Sequence, residues 1–409
     1  MRKISVASFA SGIILLAGPA AADSLFDLLP PEANPQAALA EVGVLASLSV
    51  TQFYGALLQG SLDADTDWKY GGKADLHVTL DGHRMGLWQG FYVSAVGELV
   101  YGENVNPSDP GILLPVNTAM YFPADGEFGT DLSLNFTQRF GENVSISVGK
   151  FNMIDAASDT PLVGGSGLET FQNITFAAPP SGLLPPYIFG GILTVTTKPA
   201  IFTLAIYDPR NVQNESGLDN PFSEGIAGML NVTAPVTIAG LRGYQTVTLR
   251  GNNMDKVSLD EISDLIIPAS ADGVIETQDG AWYAGYAFQQ YLFQREDGRG
   301  WGLFGTIGVA DANPTPLDVV GTLGIAGNSP IRGREEDLFG LGYFYEGFSD
   351  TLEDELAPVV ELGAEQGVEA LYNIHLAPGV RLSADVQVID PALTEDTAVF
   401  GGLRLQTIF

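Results

Sequence analysis

The chain has 409 residues, no Cys, 18 Lys+Arg against 49 Asp+Glu, and a formal net charge of -31. Acid in that excess repels a phosphate backbone and excludes nucleic acid as a partner, while the lack of Cys excludes thiol nucleophiles, thiolate metal centres and disulfide staples. Only 16% of residues are charged and 49 are Gly, a balance that suits one large closed sheet with an uncharged outer face.

Residues 1–22 read as a secretory signal peptide. Arg2 and Lys3 open it, Ile4 to Ala17 is mostly apolar, and Ala20-Ala21-Ala22 offers small residues for cleavage before Asp23. The apolar stretch is short for a membrane anchor, and no later run of about 20 apolar residues exists, so no spanning helix is predicted. Residues 23–45 form an N-terminal segment, and 46–409 are expected to form a transmembrane barrel.

The predicted strands begin with Ser47 to Leu58, which gives way to a loop marked by Asp63, Asp65 and Asp67. From Ala74 to Leu80, Ala74, Leu76, Val78 and Leu80 alternate with Asp75, His77 and Thr79. That period of two is a strand with one apolar and one wet face. Phe91 to Tyr101 and Asp131 to Phe140 repeat the pattern, and after the turn Gly141-Glu142-Asn143, Val144, Ile146 and Val148 resume the apolar face. Further strands are predicted at 188–197, 200–207, 224–234, 241–251, 281–294, 301–310, 318–326, 338–347, 368–376, 380–389 and 399–409. The fold class is all-β: a closed antiparallel transmembrane β-barrel of about 16 strands, an even number as single-chain bacterial barrels require. The last strand alternates back from the terminal Phe409, as the closing strand of an outer-membrane barrel does.

Connections sort by length as well. Short turns such as Pro378-Gly379 and Lys198-Pro199 alternate with long loops such as Gly102 to Thr130 and Asn152 to Tyr187. Short turns on the periplasmic side and long loops outside are the arrangement of outer-membrane barrels. The short turns hold Arg84, Lys198, Arg295, Arg299, Arg332 and Arg334, whereas the long loops gather acid, which predicts a negative outer vestibule.

Particular stretches resemble a known family. Asn328-Ser329-Pro330-Ile331-Arg332-Gly333-Arg334-Glu335-Glu336-Asp337-Leu338-Phe339-Gly340-Leu341-Gly342 resembles a segment of the carbohydrate-selective porins of the OprB type. Glu369-Ala370-Leu371-Tyr372-Asn373-Ile374, then Val380 to Ile389, then Thr397 to Phe409, is similar to that family's ending, and Gly71-Gly72-Lys73-Ala74-Asp75-Leu76 to its early strand. The resemblance implies a 16-stranded outer-membrane barrel that passes sugars and other small hydrophilic solutes by diffusion, through a pore lined partly by arginine and acid.

Strand phase names the pore-lining candidates. Arg242 and Arg250 share a face with Tyr244, Thr246 and Thr248; Arg381 shares one with Asp385 and Gln387; Arg404 lies on the wet face of the last strand with Gln406. Arg139, Asp75, His77 and Glu98 also fall inward. The opposite assignment costs about 2–4 kcal/mol for a basic side chain in lipid at the midplane. Phe171, Phe176 and Tyr187 of the Gly- and Pro-rich third long loop are the constriction-loop aromatics, placed either to stack on sugar rings inside the channel or to pack in an outer lid. No catalytic residue, metal or cofactor is expected: His77, His83 and His375 are the only histidines, no G-x-S-x-G elbow occurs, and Asp63-x-Asp65-x-Asp67 lacks the Gly and Glu of a calcium loop, with Trp68 and Ala74 in their places. The expected partners are sugars, ions and outer-membrane lipid, with the protein a monomer or homotrimer. The alternatives are a general cation-preferring porin without sugar specificity, and a barrel with an enzymatic or structural role.

Overall fold

The computed structural model describes residues 24–61, 63–121, 128–157, 160–266 and 275–409, so the expected signal peptide lies outside the described residues. The strands are β1 (Val44–Gln59), β2 (Lys69–Asp81), β3 (Phe91–Gly102), β4 (Gly129–Phe140), β5 (Val144–Asn152), β6 (Tyr187–Thr196), β7 (Ile201–Tyr207) and β8 (Ala227–Ile238). They continue as β9 (Leu241–Val257), β10 (Thr277–Gln294), β11 (Gly300–Ala310), β12 (Leu317–Asn328), β13 (Leu338–Phe348), β14 (Glu365–Ala377), β15 (Val380–Asp390) and β16 (Ala398–Ile408). Each pairs with its chain neighbours, and β1 pairs antiparallel with β16 from Ser49↔Ile408 to Gln59↔Val399, which closes the barrel. Closure removes the two edges that an open sheet would leave unpaired.

The side chains are sorted in the opposite sense to a soluble protein. On β4, Asp131, Ser133, Asn135 and Thr137 are buried, whereas Leu132, Leu134 and Phe136 are exposed. Leu132 exposes 64% of its surface and its neighbour Asp131 only 7%. The same inversion holds on β16, where Arg404 and Gln406 are buried between exposed Leu403 and Leu405. An apolar outer face around a polar interior is the arrangement a bilayer demands.

Chain parity places the connections 82–90, 141–143, 197–200, 239–240, 295–299, 329–337 and 378–379 at one end, with residues 24–43 and Phe409. The other end carries 60–68, 103–128, 153–186, 208–226, 258–276, 311–316, 349–364 and 391–397. The sorting by length is looser than the sequence predicts, since 311–316 and 391–397 are short. An antiparallel pair needs only a tight connection, and length is added where a loop has further work to do. β9 and β10 run past their expected limits at Gly251 and Ala281, with pairing continuing to Thr277↔Val257.

The barrel starts at Val44, slightly before the expected residue 46. Ahead of it, Asn34 caps the short helix Pro35–Glu41 by accepting from the Gln36 and Ala37 amides. Gln36 Nε2 donates to the carbonyls of Ala46 (3.0 Å) and Phe409 (2.9 Å), and Phe26 meets Phe409 edge-on with ring centroids 6.3 Å apart. The N-terminal segment therefore braces the seam between the first and last strands.

A sheet paired on every edge unfolds only as a whole. Unboiled protein is expected to migrate on a denaturing gel as a distinct compact form that boiling converts to the unfolded position; one position before and after boiling would contradict closure.

Candidate solute channel

Two of the long loops turn into the barrel. The β5–β6 loop reaches the inner wall at Gln289, whose Oε1 accepts from the Leu162 amide at 2.8 Å. Its Phe171 and Phe176 stack with centroids 4.5 Å apart, and Phe304 of β11 and Phe344 of β13 pack edge-on against them at 5.3 and 5.8 Å. Inward-facing glycines make the room. A Cβ at Gly340 would lie 2.6 Å from Phe171 Cζ, and one at Gly342 2.6 Å from Phe176 Cε1. Phe171 and Phe176 are 0% and 3% exposed. Their ring faces are occupied by protein, so of the two expected placements packing prevails over stacking on sugar rings, and they anchor the loop to the wall. Tyr187 is not a loop residue at all. It opens β6, with Lys150 Nζ 5.5 Å from its ring centroid.

The wall built by β2 to β5 carries charge. Lys73 Nζ lies 2.7 Å from Glu98, 3.1 Å from Asp75 and 4.0 Å from Asp155, and Asn152 Nδ2 donates to Glu98 at 2.9 Å. Asp75 and Glu98 were expected inward; Lys73 shares the phase of Asp75 and was readable by the same logic. Beside them Lys150 donates to Asp131 at 2.6 Å and to the Glu215 carbonyl at 2.8 Å. Lys150 escapes a strict period of two counted from Ser147, because the alternation breaks at Gly149, with φ of 144°. His77 is half-buried on the same wall.

The arginines have three separate fates. Arg404 is 1% exposed: it donates to Ser383 Oγ at 3.0 Å and to the Gly167 carbonyl at 2.6 Å, so the loop covers it. Asp385, next to it in the wall, is likewise buried and accepts from Gln387 at 3.2 Å. The expectation that Arg404 and Asp385 line the open pore is therefore corrected: the Gly167 backbone covers Arg404, and Asp385 is buried beside Gln387 in the wall. Arg250 also serves the loop, donating to Ser181 Oγ at 2.6 Å beneath the ring of Tyr283. Arg242 and Arg381 brace the periplasmic end by donating to the carbonyls of Gly298 and Glu336, both at 3.1 Å. Arg139 keeps the inward phase near the 141–143 turn and is exposed.

At that end, the stretch with the family resemblance builds a fixed turn. Arg334 grips Asp337 with two bonds of 2.6 and 2.8 Å, while the Tyr372 hydroxyl (2.9 Å) and the His375 amide (2.8 Å) donate to the same carboxylate. Burial opposes the charge on Asp337, but these donors outweigh it and hold the carboxyl below its usual range. In the outer 60–68 loop, Asp65 accepts from Lys69 Nζ at 2.6 Å and from the Asp67 amide at 2.9 Å, so its carboxylate serves its own loop.

The sequence matches the model of the carbohydrate-selective porin, OprB family, over residues 66–409. The chain belongs to this family. The high-pH structure of Pseudomonas putida OprB is 16% identical with a TM-score of 0.77, covering 91% of this chain and 96% of that one. The low-pH structure of the same protein is 13% identical with a TM-score of 0.51 over 91% and 94%. A BenF-like porin from Pseudomonas fluorescens Pf-5 is 11% identical with a TM-score of 0.50 over 90% and 98%. At these identities the likeness is one of fold. No curated protein matches the chain. As a member of the OprB family with a porin barrel, the protein resides in the bacterial outer membrane and forms a diffusion channel for small hydrophilic solutes.

Two measurements follow from the docked loop. Replacing Gly340 by Leu forces Phe171 from its seat, and overpacking of this kind costs about 1–3 kcal/mol; a reduced urea midpoint in detergent is expected. Asp155 sits at the root of the same loop. Burial pushes its carboxyl up to about 8, with Lys73 pulling it down and Glu98 and Asp75 pushing it further up. The folded value lies above the ordinary 3.8, so the stabilisation belongs to the protonated form, is complete below 3.8, and is lost as pH rises through about 8. Asp155→Asn is expected to remove that component, so that the variant's unfolding midpoint falls less than wild type's across this interval. Parallel pH profiles of the two proteins would refute the assignment.

Proposed function

We propose that the channel selects neutral hydrophilic solutes, carbohydrates first among them, over ions. The observation that carries this reading is the division of labour inside the barrel. Buried ionic groups of the inner wall are engaged with one another or with loop backbone in several places, as in Lys73 with Asp75 and Glu98, Lys150 with Asp131, or Arg404 with the Gly167 carbonyl. The inward residues that stay half-exposed are largely hydroxyl and amide side chains, among them Thr79, Ser94, Asn231, Thr246, Thr248 and Thr306. Such groups offer both donors and acceptors without a net charge, which suits polyols.

A cation preference is the second reading. Lys73 faces the carboxylates of Asp75 and Glu98, and the outer loops carry acid such as Asp350, Glu353 and Asp354. These charges support a weak cation bias superimposed on solute diffusion. The histidines support a channel over a barrel enzyme: His83 lies in the 82–90 turn, His375 pairs with Glu336 at 2.9 Å near the periplasmic rim, and His77 belongs to the charged wall. A single barrel contains its whole solute path, so the reading applies to a monomer and to a homotrimer embedded in lipid alike.

Reconstitution separates these readings. Liposomes holding the protein are expected to swell in iso-osmotic monosaccharide faster than in a charged solute of similar size. Planar bilayers should give stable conductance with a small reversal potential of cation sign. Absence of conductance would refute the channel. A strong reversal potential together with slow sugar swelling would instead favour the ion-selective reading.

A further inference from the structure

Two buried carboxylates on one strand hold the inner loops by the same device. Glu369 accepts from the consecutive amides of Gln172 (2.5 Å) and Asn173 (3.0 Å) of the β5–β6 loop. Glu365 accepts from the consecutive amides of Leu113 (2.8 Å) and Leu114 (3.1 Å) of the β3–β4 loop. Both side chains are 0% exposed. They stand four residues apart on β14 and share its inward face, a spacing of roughly 13 Å at about 3.3 Å per residue. The two gripped segments are also joined to each other. The Thr118 amide donates to the Gln172 carbonyl at 2.8 Å, and the Ile174 amide to the Pro115 carbonyl at 3.1 Å.

We infer that Glu365 and Glu369 are the positioning residues of the channel's constriction, each fixing one inner loop against the wall and so setting the width left for solute. The reason is directional. The stack of Phe171, Phe176, Phe304 and Phe344 supplies adhesion, but apolar contact tolerates sliding. A carboxyl group that accepts two adjacent amides does not, because a shift of one residue breaks both bonds and leaves two buried acceptors without donors. Neighbouring groups fix the rotamers: Gln387, whose Oε1 accepts from Asn173 Nδ2 at 3.2 Å and whose Nε2 donates to the Val116 carbonyl at 2.8 Å, ties both loops to β15. Asn373 Nδ2 donates to the Glu169 carbonyl at 2.7 Å on the same face as Glu369. Loops that would otherwise lie in the outer solution are thus carried inward by acceptors placed on the wall.

This inference rests on the channel reading, and its test distinguishes the two. Glu369→Gln and Glu365→Gln keep side-chain volume but replace one acceptor oxygen with a donor that faces an amide. Each variant is reconstituted beside wild type and compared in unitary conductance and in swelling with mono-, di- and trisaccharides. Limited proteolysis maps cleavage within 103–121 and 160–186. A rise in mean conductance of about twofold or more is expected, since conduction follows the width and lining of the narrowest point, together with relaxed discrimination by sugar size. Glu365→Gln is expected to expose the first loop to protease and Glu369→Gln the second. Phe171→Ala serves as the comparison: if it alone opens the pore while both Gln variants conduct and resist protease as wild type does, adhesion sets the constriction and the inference fails. Gel migration before boiling verifies an intact barrel in each case, and a variant that does not assemble in one position leaves the other to decide. A wild-type barrel without conductance would refute the channel reading, while the protease pattern would still report on the two carboxylates.

Discussion

The hydrocarbon interior of a membrane offers backbone amides no water, so every strand must find a partner on both sides. The pairing of β1 with β16 is the step that satisfies this condition for the whole sheet. It also brings the segment ahead of β1 and the end of β16 to one rim, where Gln36 holds the Phe409 carbonyl and Phe26 meets its ring. From closure follows the inversion of ordinary sorting: Leu132, Leu134 and Phe136 face lipid, and Asp131, Ser133 and Asn135 face inward. Selective passage then depends on what the closed wall does with its polar interior.

A polar interior becomes costly once loops cover it. Wherever the β5–β6 and β3–β4 loops enter, they bring backbone amides and carbonyls that lose bulk water and need partners. The wall answers with matched groups: Gln289 Oε1 for the Leu162 amide, Glu369 for Gln172 and Asn173, and Arg404 for the Gly167 carbonyl. Glycines at Gly340 and Gly342 let the aromatic rings approach the sheet closely. The interior is therefore two surfaces in one barrel. A charged wall on β2 to β5 faces a loop-covered wall on β10 to β16, and the latter is built from groups that a pore's chemistry alone would not require.

The strands were legible in the sequence because lipid imposes a strict rule on alternate residues, and Ala74 to Leu80 or Leu403 to Thr407 obeys it. The rule lapses outside the bilayer, which is why the outer ends of β9 and β10 escaped it. It also lapses where the backbone alternation breaks at Gly149, whose φ is 144°, so that Lys150 faces inward out of phase with Ser147. Arg404, Asp385, Asp75 and Glu98 share the inward phase and are buried, but phase says nothing of what stands in front of a residue. Arg404 meets Gly167 at a sequence separation of 237, and no local pattern reports such a contact. A weaker signal was present. Gly324, Gly340 and Gly342 occupy inward phases on β12 and β13, and glycine repeated on one face of a strand marks where something bulky approaches.

The net charge of -31 is distributed in the same way. Asp208 is fully buried and held by Arg210 at 2.6 Å and by the Phe222 amide at 2.8 Å. Asp337 is saturated by Arg334, Tyr372 and His375, and Asp131 by Lys150 and the Asn214 amide. Each of these acids is an acceptor in a structural bond, so its field is largely compensated within a few ångströms. Composition alone overstates the negative potential that an entering solute meets. What remains uncompensated is concentrated at the outer loops and around Lys73, whose ammonium is shared by Asp75 and Glu98. An acidic chain and a channel for uncharged solutes are therefore compatible: much of the acid holds the loops and turns in place, and the surface left open to solute is built largely from hydroxyls and amides.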